Sequence, residues 1–269
     1  MTPLEEVVED LAAEQAALDA ALARMPARAW DLPTHAPGWL ARDQVTHVAH
    51  FDEAATRAIV DPDAFRAEVA ERLGGGDRGG YEQRYLARGR GMSPAALHEW
   101  WRTAGAALVR AGRAVSPKAR LPWYGPDMSA VSFLTARLME TWSHGLDVVD
   151  VAGVERPDTD RLRHVAFLGV RTRAFSYANR GLAPNAAPVL VRLVAPSGAI
   201  WSFGEAGAPD RIEGRATDFC RVVTQRRHLA DTGLVVTGPN AAEWMAIAQA
   251  FAGPPGPGRQ PGEFPADAR

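Results

Sequence analysis

The stretch Glu140-Thr141-Trp142-Ser143-His144-Gly145-Leu146-Asp147 lies inside a segment, from about Ser129 to Val151, that predicts a long helix. Glu140 and His144 are four residues apart, so on a helix their side chains lie one turn apart on the same face. At that spacing a carboxylate and an imidazole can bind one metal ion together. The stretch therefore predicts a helix that carries two ligands of a metal site.

A third ligand is available on a second predicted helix, from about Ala41 to Ile59. Its sequence Thr46-His47-Val48-Ala49-His50 offers two imidazoles. Facing helices of a bundle can bring such side chains together around a cation, and on spacing alone either His47 or His50 can complete the set. Two histidines and one carboxylate, with one position left open, are typical of a catalytic zinc site and also suit other divalent ions.

Other polar and aromatic residues near these motifs are candidates for supporting roles. Asp43 and Asp147 can orient ligand imidazoles through their second ring nitrogens. Asp52, Asp147 and Asp150 are candidate bases. The loop that contains Trp123-Tyr124 is a candidate for lining an apolar pocket.

Further helices are predicted along the first two thirds of the chain. Apolar spacing, capping residues and proline positions predict them over about 4–24, 94–115 and 158–180, with a shorter one that follows Asp61-Pro62-Asp63 and ends near Leu73. The glycine-rich segment Gly74–Gly80 predicts a loop, in which a lid hinge is one alternative. Together these segments predict a helical bundle.

From Pro188 onward the pattern changes to that of a mixed domain. Residues 189–194 and 200–203 predict a hairpin. The remaining elements are predicted as strands over about 211–215 and 234–236 and helices over about 217–227 and 241–251, the last capped by Asn240. The predicted fold class is α+β, with a helical bundle over 1–182, a small α/β domain over 183–253 and a Pro/Gly-rich tail over 254–269.

The composition excludes several classes of function. The 269 residues carry a formal net charge of −2, and no run of lysine or arginine is present that would follow a nucleic-acid backbone. No stretch approaches the roughly 20 apolar residues that cross a bilayer. The first residues, Met1–Glu6, lack the layout of a signal peptide. We expect a cytoplasmic monomer or homodimer that acts on a small molecule, with no nucleic-acid or membrane partner.

Two residue types are so rare that they narrow the chemistry further. Cys220 is the only cysteine, so the chain can form neither an internal disulfide nor a thiolate metal cluster, and thiol chemistry must import its thiol. Lys118 is the only lysine and lies in a Pro-containing loop that would not lower its pKa, which argues against Schiff-base catalysis.

Several of these motifs together resemble one known family. Pro37-Gly38-Trp39, Arg42-Asp43-Gln44-Val45-Thr46-His47 and Phe51-Asp52-Glu53-Ala54-Ala55 are similar to the N-terminal half of mycothiol-dependent maleylpyruvate isomerase-like proteins, within the DinB-like metalloprotein superfamily. The stretch Glu140–Asp147 resembles the second motif of that family. The Phe51–Ala55 stretch and the tail are also similar to an actinobacterial metal-binding subgroup with a wyosine-base-formation-type C-terminal domain.

This resemblance implies a fold and a ligand set. The fold is a DinB-like four-helix bundle followed by a small α/β domain, with a divalent metal, typically zinc, held in the bundle. The ligand positions of the family correspond to His47, Glu140 and His144, which favours His47 over His50. The resemblance also makes Arg226 the closest match to an arginine that reaches the active site, and we take Arg226 and Asp147 as candidate catalytic residues.

One departure from the family concerns the start of the second helix. The family often has serine or threonine as the cap after its Pro-Gly-Trp element, whereas this chain has Leu40 there. The first turn must therefore be capped by another group.

The implied activity is that of a metal-dependent isomerase or S-transferase that uses the thiol of mycothiol on a small electrophilic metabolite. One alternative is a thiol-independent, metal-dependent hydrolase, lyase or cyclase of secondary metabolism. Another alternative is a protein that binds a metal or a small molecule without catalysis.

Overall fold

The computed structural model describes residues 1–74 and 78–264. Within the chain, two compact units are distinguished, Met1–Arg156 and Pro157–Arg269. The first is helical and the second combines helices with a mixed sheet, so the predicted α+β class is confirmed. The domain boundary predicted after residue 182 lies further along the chain than this division. The helices Leu162–Arg171 and Arg173–Ala178, which fall between the two positions, contact elements of the second unit.

The first unit is built around a four-helix bundle. Its helices are α1 (Pro3–Ala23), α2 (Ala41–Val60), α3 (Pro62–Gly74), α4 (Arg78–Arg90), α5 (Pro94–Ala114) and α6 (Ala130–Ala152). Helix α1 contacts α5 and α6, and α2 contacts the same two helices, so these four close a ring around a shared core. In the part of the chain that the structure describes, no helix has both the length and the apolar character needed to cross a bilayer.

The bundle core follows the helical spacing of the sequence. Leu18 and Leu22 on α1 pack with Val45 on α2 and with Leu97 and Trp101 on α5, and all five side chains are buried. Full burial of one such side chain contributes about 1.5–3 kcal/mol. Because the apolar residues recur every three or four positions, each helix buries one face and leaves the other for polar contacts.

Helix starts in the bundle are fixed by side chains near the first turn. Ser93 Oγ accepts the Ala96 N–H at the start of α5, and Ser129 Oγ accepts the Ser132 N–H at the start of α6. At α2 the Leu40 side chain accepts no hydrogen bond. Instead, Asp43 Oδ2 accepts the Leu40 N–H at 2.9 Å. Asp43 is therefore the capping group that the sequence requires in place of a serine or threonine.

Helix α4 is an element that the sequence pattern failed to predict. The loop predicted over Gly74–Gly80 is wrong at both ends, because Gly74 ends α3 and Arg78 begins α4; residues 75–77 lie outside the described residues. The helix is rich in arginine and packs along α2. At Gly89 the approach is so close that an added Cβ would overlap the Thr46 side chain. Packing at this glycine therefore places α4 beside the histidines of α2.

A short hairpin precedes α6. Strands β1 (Arg120–Leu121) and β2 (Met128–Ser129) pair antiparallel and close the loop that carries Trp123 and Tyr124. The Trp123 ring stacks on Phe65 at 5.7 Å between centroids and meets Phe133 edge to face at 5.1 Å. These contacts make the loop part of a packed aromatic cluster.

The second unit contains a four-stranded mixed sheet with helices packed against it. Its described elements are α7 (Leu162–Arg171), α8 (Arg173–Ala178), β3 (Val189–Val194), β4 (Ile200–Phe203), β5 (Asp210–Arg215), α9 (Ala216–Val223), β6 (Val235–Thr237) and α10 (Pro239–Ile247). The strand order is β4-β3-β5-β6, in which β3 and β5 are parallel and the outer pairs are antiparallel. The predicted hairpin of β3 and β4 is confirmed.

Two predictions in this unit are corrected. The single helix predicted over 158–180 is divided at Thr172 into α7 and α8. Asn240 is not the cap of the last helix, because Gly238 precedes α10 and Asn240 lies in its first turn. The capping acceptor comes from a distant strand: Asp210 Oδ1 accepts the N–H groups of Asn240 and Ala241 at 2.7 and 3.0 Å. Sequence spacing alone could not reveal that contact.

We expect Gly89→Ala to lower the free energy of unfolding by about 1–3 kcal/mol, because the added Cβ forces Thr46 or α4 to move. The gain in helix propensity, about 1 kcal/mol, is too small to offset the overlap. Urea unfolding measures the effect. Gly91→Ala is the matched control, since its Cβ meets its nearest neighbour at an ordinary 3.5 Å. Equal stability of the two variants would contradict the close packing.

Candidate metal centre

The structure brings His47, Glu140 and His144 together where α2 faces α6. One potential ligand atom from each residue lies within 4.8 Å of the other two. Glu140 Oε2 is 2.9 Å from His144 Nε2 and 3.5 Å from His47 Nε2, and the two imidazole centroids are 4.3 Å apart. Both Nε2 atoms therefore face the same carboxylate oxygen.

A chain of hydrogen bonds determines which nitrogen of His144 carries a proton. It begins at the Trp39 carbonyl, which can only accept a hydrogen bond. The Thr34 hydroxyl donates to this carbonyl at 2.9 Å. The same hydroxyl oxygen then accepts from Gln44 Nε2 at 2.9 Å. The other end of that amide, Gln44 Oε1, is thereby turned toward His144 Nδ1 at 2.6 Å. Because Oε1 only accepts, Nδ1 carries the hydrogen and Nε2 offers its lone pair toward Glu140.

This tautomer creates an electrostatic requirement at the centre of the site. A lone pair on His144 Nε2 and a carboxylate oxygen at 2.9 Å repel one another unless a positive group lies between them. That group is either a second proton on His144 or a metal ion. The donor set of two imidazoles and one carboxylate fits a divalent metal.

His47 is held by different neighbours, and they separate it from His50. The His47 Nδ1 atom lies 3.2 Å from the Tyr85 hydroxyl, which leaves Nε2 facing Glu140. The His50 ring stacks on Tyr85 at 4.7 Å, and its Nε2 is hydrogen-bonded to Tyr81. His50 therefore lies outside the group of three.

The surroundings set the charge states of the group. Burial, together with the neighbouring His144, lowers the pKa of His47 to about 3, so its ring is neutral near pH 7. Burial alone would raise the pKa of Glu140, but the adjoining His144 and His47 side chains hold that pKa well below its ordinary value. A neutral imidazole and an ionised carboxylate are the forms that bind metals.

The group is recessed and only partly exposed. The side chains of His47 and Glu140 are each 18% exposed, and that of His144 is 13% exposed. The Trp39 ring stacks on His144 at 6.0 Å, and Phe51 lies 4.6 Å from His47. Apolar rings therefore flank the imidazoles, while a small part of each of the three side chains stays exposed.

A buried ion pair joins the same two helices beyond the ligands. Arg137 of α6 donates from Nε and Nη2 to Asp52 Oδ1 of α2 at 3.1 and 2.8 Å, and both side chains are buried. Burial raises the pKa of Asp52 to about 6, although Arg137 acts in the opposite direction. Among the described residues, Asp52 Oδ2 has no hydrogen-bond partner.

The other predicted site residues have contacts of their own. Asp43 does not orient an imidazole, because its oxygens accept from Arg90 at 2.9 and 2.7 Å and from the Leu40 N–H. Asp147 is buried further along α6, outside the group of three. Arg226, in the second unit, is largely buried and donates from Nη1 to the Thr224 carbonyl at 2.6 Å.

Two residues that the sequence did not single out contact the ligand imidazoles. Gln44 is hydrogen-bonded to Nδ1 of His144, and Tyr85 to Nδ1 of His47. The sequence pattern predicts this orienting role for Asp43 and Asp147 instead. Gln44 lies three residues before His47 on the same helix, so its helical spacing was an available signal. Tyr85 lies on the unpredicted α4 and offered none.

Sequence comparison identifies similar proteins. The family model described as the mycothiol maleylpyruvate isomerase N-terminal domain matches residues 11–149. Two uncharacterised proteins of Mycobacterium tuberculosis, from strains CDC 1551 / Oshkosh and ATCC 25618 / H37Rv, are each 46% identical over 252 residues. The match covers 94% of this chain and 97% of each of those proteins.

Solved structures with the same fold are also known. The crystal structure of the mycothiol-dependent maleylpyruvate isomerase matches with a TM-score of 0.58 at 18% identity, over 87% of this chain and 93% of that one. A histidine-to-alanine mutant of that isomerase matches with a TM-score of 0.56 at 17% identity, over 84% and 90%. At such low identity these matches show the fold alone.

We expect Arg137→Met to lower the free energy of unfolding by about 3–5 kcal/mol, because it leaves the Asp52 charge buried without its partner. Adding Asp52→Leu in the same chain should restore part of that loss. Urea unfolding with a chelator present separates this effect from metal binding.

Arg66→Met is the control for that measurement. Arg66 pairs with Asp127 at 2.8 Å but is 47% exposed, so its loss should cost less than about 1 kcal/mol. A double variant as unstable as the sum of its two single variants would show that Asp52 and Arg137 are not coupled.

Proposed function

Because the chain belongs to the family defined by the mycothiol maleylpyruvate isomerase N-terminal domain, we propose that it is a divalent-metal-dependent enzyme. Its substrate is a small electrophilic metabolite, and its co-substrate is a low-molecular-weight thiol such as mycothiol. The reaction class is isomerisation or S-transfer. The observation that carries the proposal is the contact between His144 Nε2 and Glu140 Oε2.

That contact supports a metal because of its position in a larger network. The proton on His144 Nδ1 is assigned by a chain that ends on a backbone carbonyl, so the facing Nε2 lone pair is built into the fold. Nε2 of the neutral His47 ring is a second potential metal-binding nitrogen, 3.5 Å from the same oxygen of Glu140. A proton can bridge only one of these nitrogens to Glu140, whereas one divalent ion satisfies all three groups.

His47, Glu140 and His144 would hold the ion, with zinc as the expected metal. When bound, such an ion lowers the pKa of a thiol or water and polarises an oxygen of the substrate. Gln44 and Tyr85 keep the two imidazoles in the orientation that ligation needs. Trp39 and Phe51 limit the water around them, which strengthens the electrostatic interactions in the site.

The thiol must come from outside the chain. Cys220 is fully buried, its Sγ lies 3.6 Å from the Leu162 carbonyl, and burial raises the pKa of its thiol well above the ordinary value. A thiol in that environment stays protonated and inaccessible. Since the sequence contains no other cysteine, an imported thiol is the only source of a sulfur nucleophile.

Arg226 and Asp147 remain the candidates for substrate binding and proton transfer. Arg226 supplies a guanidinium in the second unit, and Asp147 supplies a carboxylate on the helix that bears Glu140 and His144. A cytoplasmic location and a monomeric or homodimeric state also remain predictions.

We expect His144→Ala to lose the metal, while His50→Ala keeps it. Both histidines are partly buried and packed against aromatic rings, but only His144 has a ring nitrogen that faces Glu140. Elemental analysis of the purified variants, with circular dichroism to verify folding, measures the difference. Full metal content in His144→Ala, or equal loss in both variants, would overturn the ligand assignment.

We expect turnover of an electrophile to require both the metal and an added thiol. The assay offers the metal-loaded protein a panel of cis-alkenes conjugated to carbonyls, epoxides and alkyl halides, with and without mycothiol. His144→Ala is the inactive control. Turnover that continues without any thiol would favour the hydrolase, lyase or cyclase alternative. No turnover and no binding of mycothiol would leave a non-catalytic metal-binding protein.

A further inference from the structure

A cavity lies between α2, α3 and α4, beside the candidate metal centre. Its volume is about 310 Å³, within the range of small-molecule sites. The residues that line it are His50, Arg72, Tyr81, Arg84, Tyr85 and Arg88. We call this cavity the arginine chamber. Among the described residues, its lining contains three guanidinium groups and no carboxylate.

Two of the guanidinium groups are held in place by groups behind them. Arg88 donates to Glu53 at 3.1 Å and lies 3.7 Å over the Trp100 ring. Arg72 pairs with Glu68 and donates to the Tyr124 hydroxyl at 3.1 Å. A guanidinium has five N–H donors, so these contacts fix its plane and leave further donors for a ligand.

The polar groups between the arginines are also ordered. The Tyr81 hydroxyl accepts from Arg72 and is hydrogen-bonded to His50 Nε2. Burial, followed by the positive charges of Arg72, Arg57 and Arg88, lowers the pKa of His50 to about 4. The Tyr81 hydroxyl, which accepts from Arg72, can donate its own hydrogen to the ring nitrogen of a neutral His50. The arginines therefore add to the effect of burial in keeping the His50 ring neutral.

Tyr85 connects the chamber to the metal centre. Its ring forms part of the chamber wall, while its hydroxyl lies 3.2 Å from His47 Nδ1. A molecule in the chamber is therefore separated by a single side chain from a candidate ligand. Arg84 and Arg88 are exposed residues, so the chamber also opens to solvent.

We propose that the arginine chamber binds the anionic group, a carboxylate or a phosphate, of a small molecule. Planar, fixed guanidinium groups bind either oxyanion through paired hydrogen bonds. That the chamber binds an anion follows from its own residues; that this anion belongs to the substrate rests on the proposed function.

The test measures binding of succinate and of inorganic phosphate by isothermal titration calorimetry at constant ionic strength. We expect saturable binding to the full chain and at least tenfold weaker binding to the Arg84→Gln/Arg88→Gln variant. Stronger binding of succinate would identify a carboxylate ligand, and stronger binding of phosphate a phosphorylated one. Arg84→Gln alone, which leaves the Arg88–Glu53 contact in place, should weaken binding about threefold and tests the same point if the double variant is unstable.

Arg113→Gln is the matched control, because Arg113 is also a helical arginine paired with a glutamate, Glu9, but lies outside the chamber. Equal weakening by Arg113→Gln, or no saturable binding of either anion, would overturn the proposal. The same titration on His144→Ala distinguishes it from the proposed function. If His144→Ala binds the anion without metal, the result supports the chamber whatever the metal analysis shows. If His144→Ala loses anion binding while the arginine variants keep it, the anion binds the metal and the proposal is overturned.

Discussion

The hydrogen bond between His144 Nδ1 and Gln44 Oε1 is the contact on which the site depends. It joins α6 to α2 across 100 residues of sequence, and it fixes the tautomer of His144. The orientation of the Gln44 amide is fixed in turn by two residues of the preceding loop. The Thr34 hydroxyl, which donates to the Trp39 carbonyl, accepts from Gln44 Nε2, so that Gln44 Oε1 faces the histidine. A loop before α2 therefore controls a lone pair on α6.

The same constraint explains why so many polar groups are buried between these helices. A polar or charged group removed from water is costly unless it is paired, so each buried group restricts where its partner can lie. Arg137 and Asp52 restrict the relative position of α6 and α2, and Arg90 and Asp43 restrict α4 against α2. The helices that carry the candidate ligands are thus fixed against their neighbours at several positions along their length. The distances between the three candidate ligand side chains follow from that packing.

Helix α4 gives the site its second side. Gly89 allows the helix to lie close to α2, and the resulting approach places Tyr85 between His47 and the arginine chamber. One aromatic residue therefore touches both the candidate metal centre and the candidate anion site. Such an arrangement suits a reaction in which a metal acts on one part of a small molecule while fixed guanidinium groups hold another part. The family match lies within the first unit, and the fold match extends the likeness in fold to the second.

The sequence by itself determined the local features of this protein. Helical periodicity placed α1, α2, α5 and α6 and put Glu140 and His144 on one face, because those patterns depend on residues three or four positions apart. Only the tertiary structure decided which groups orient the imidazoles, where α4 runs, and what caps α10. Gln44, Tyr85 and Asp210 act on partners between 30 and 100 residues away, and no local pattern records such contacts. Their positions follow from burial, where each polar group must find a partner wherever the packed chain provides one.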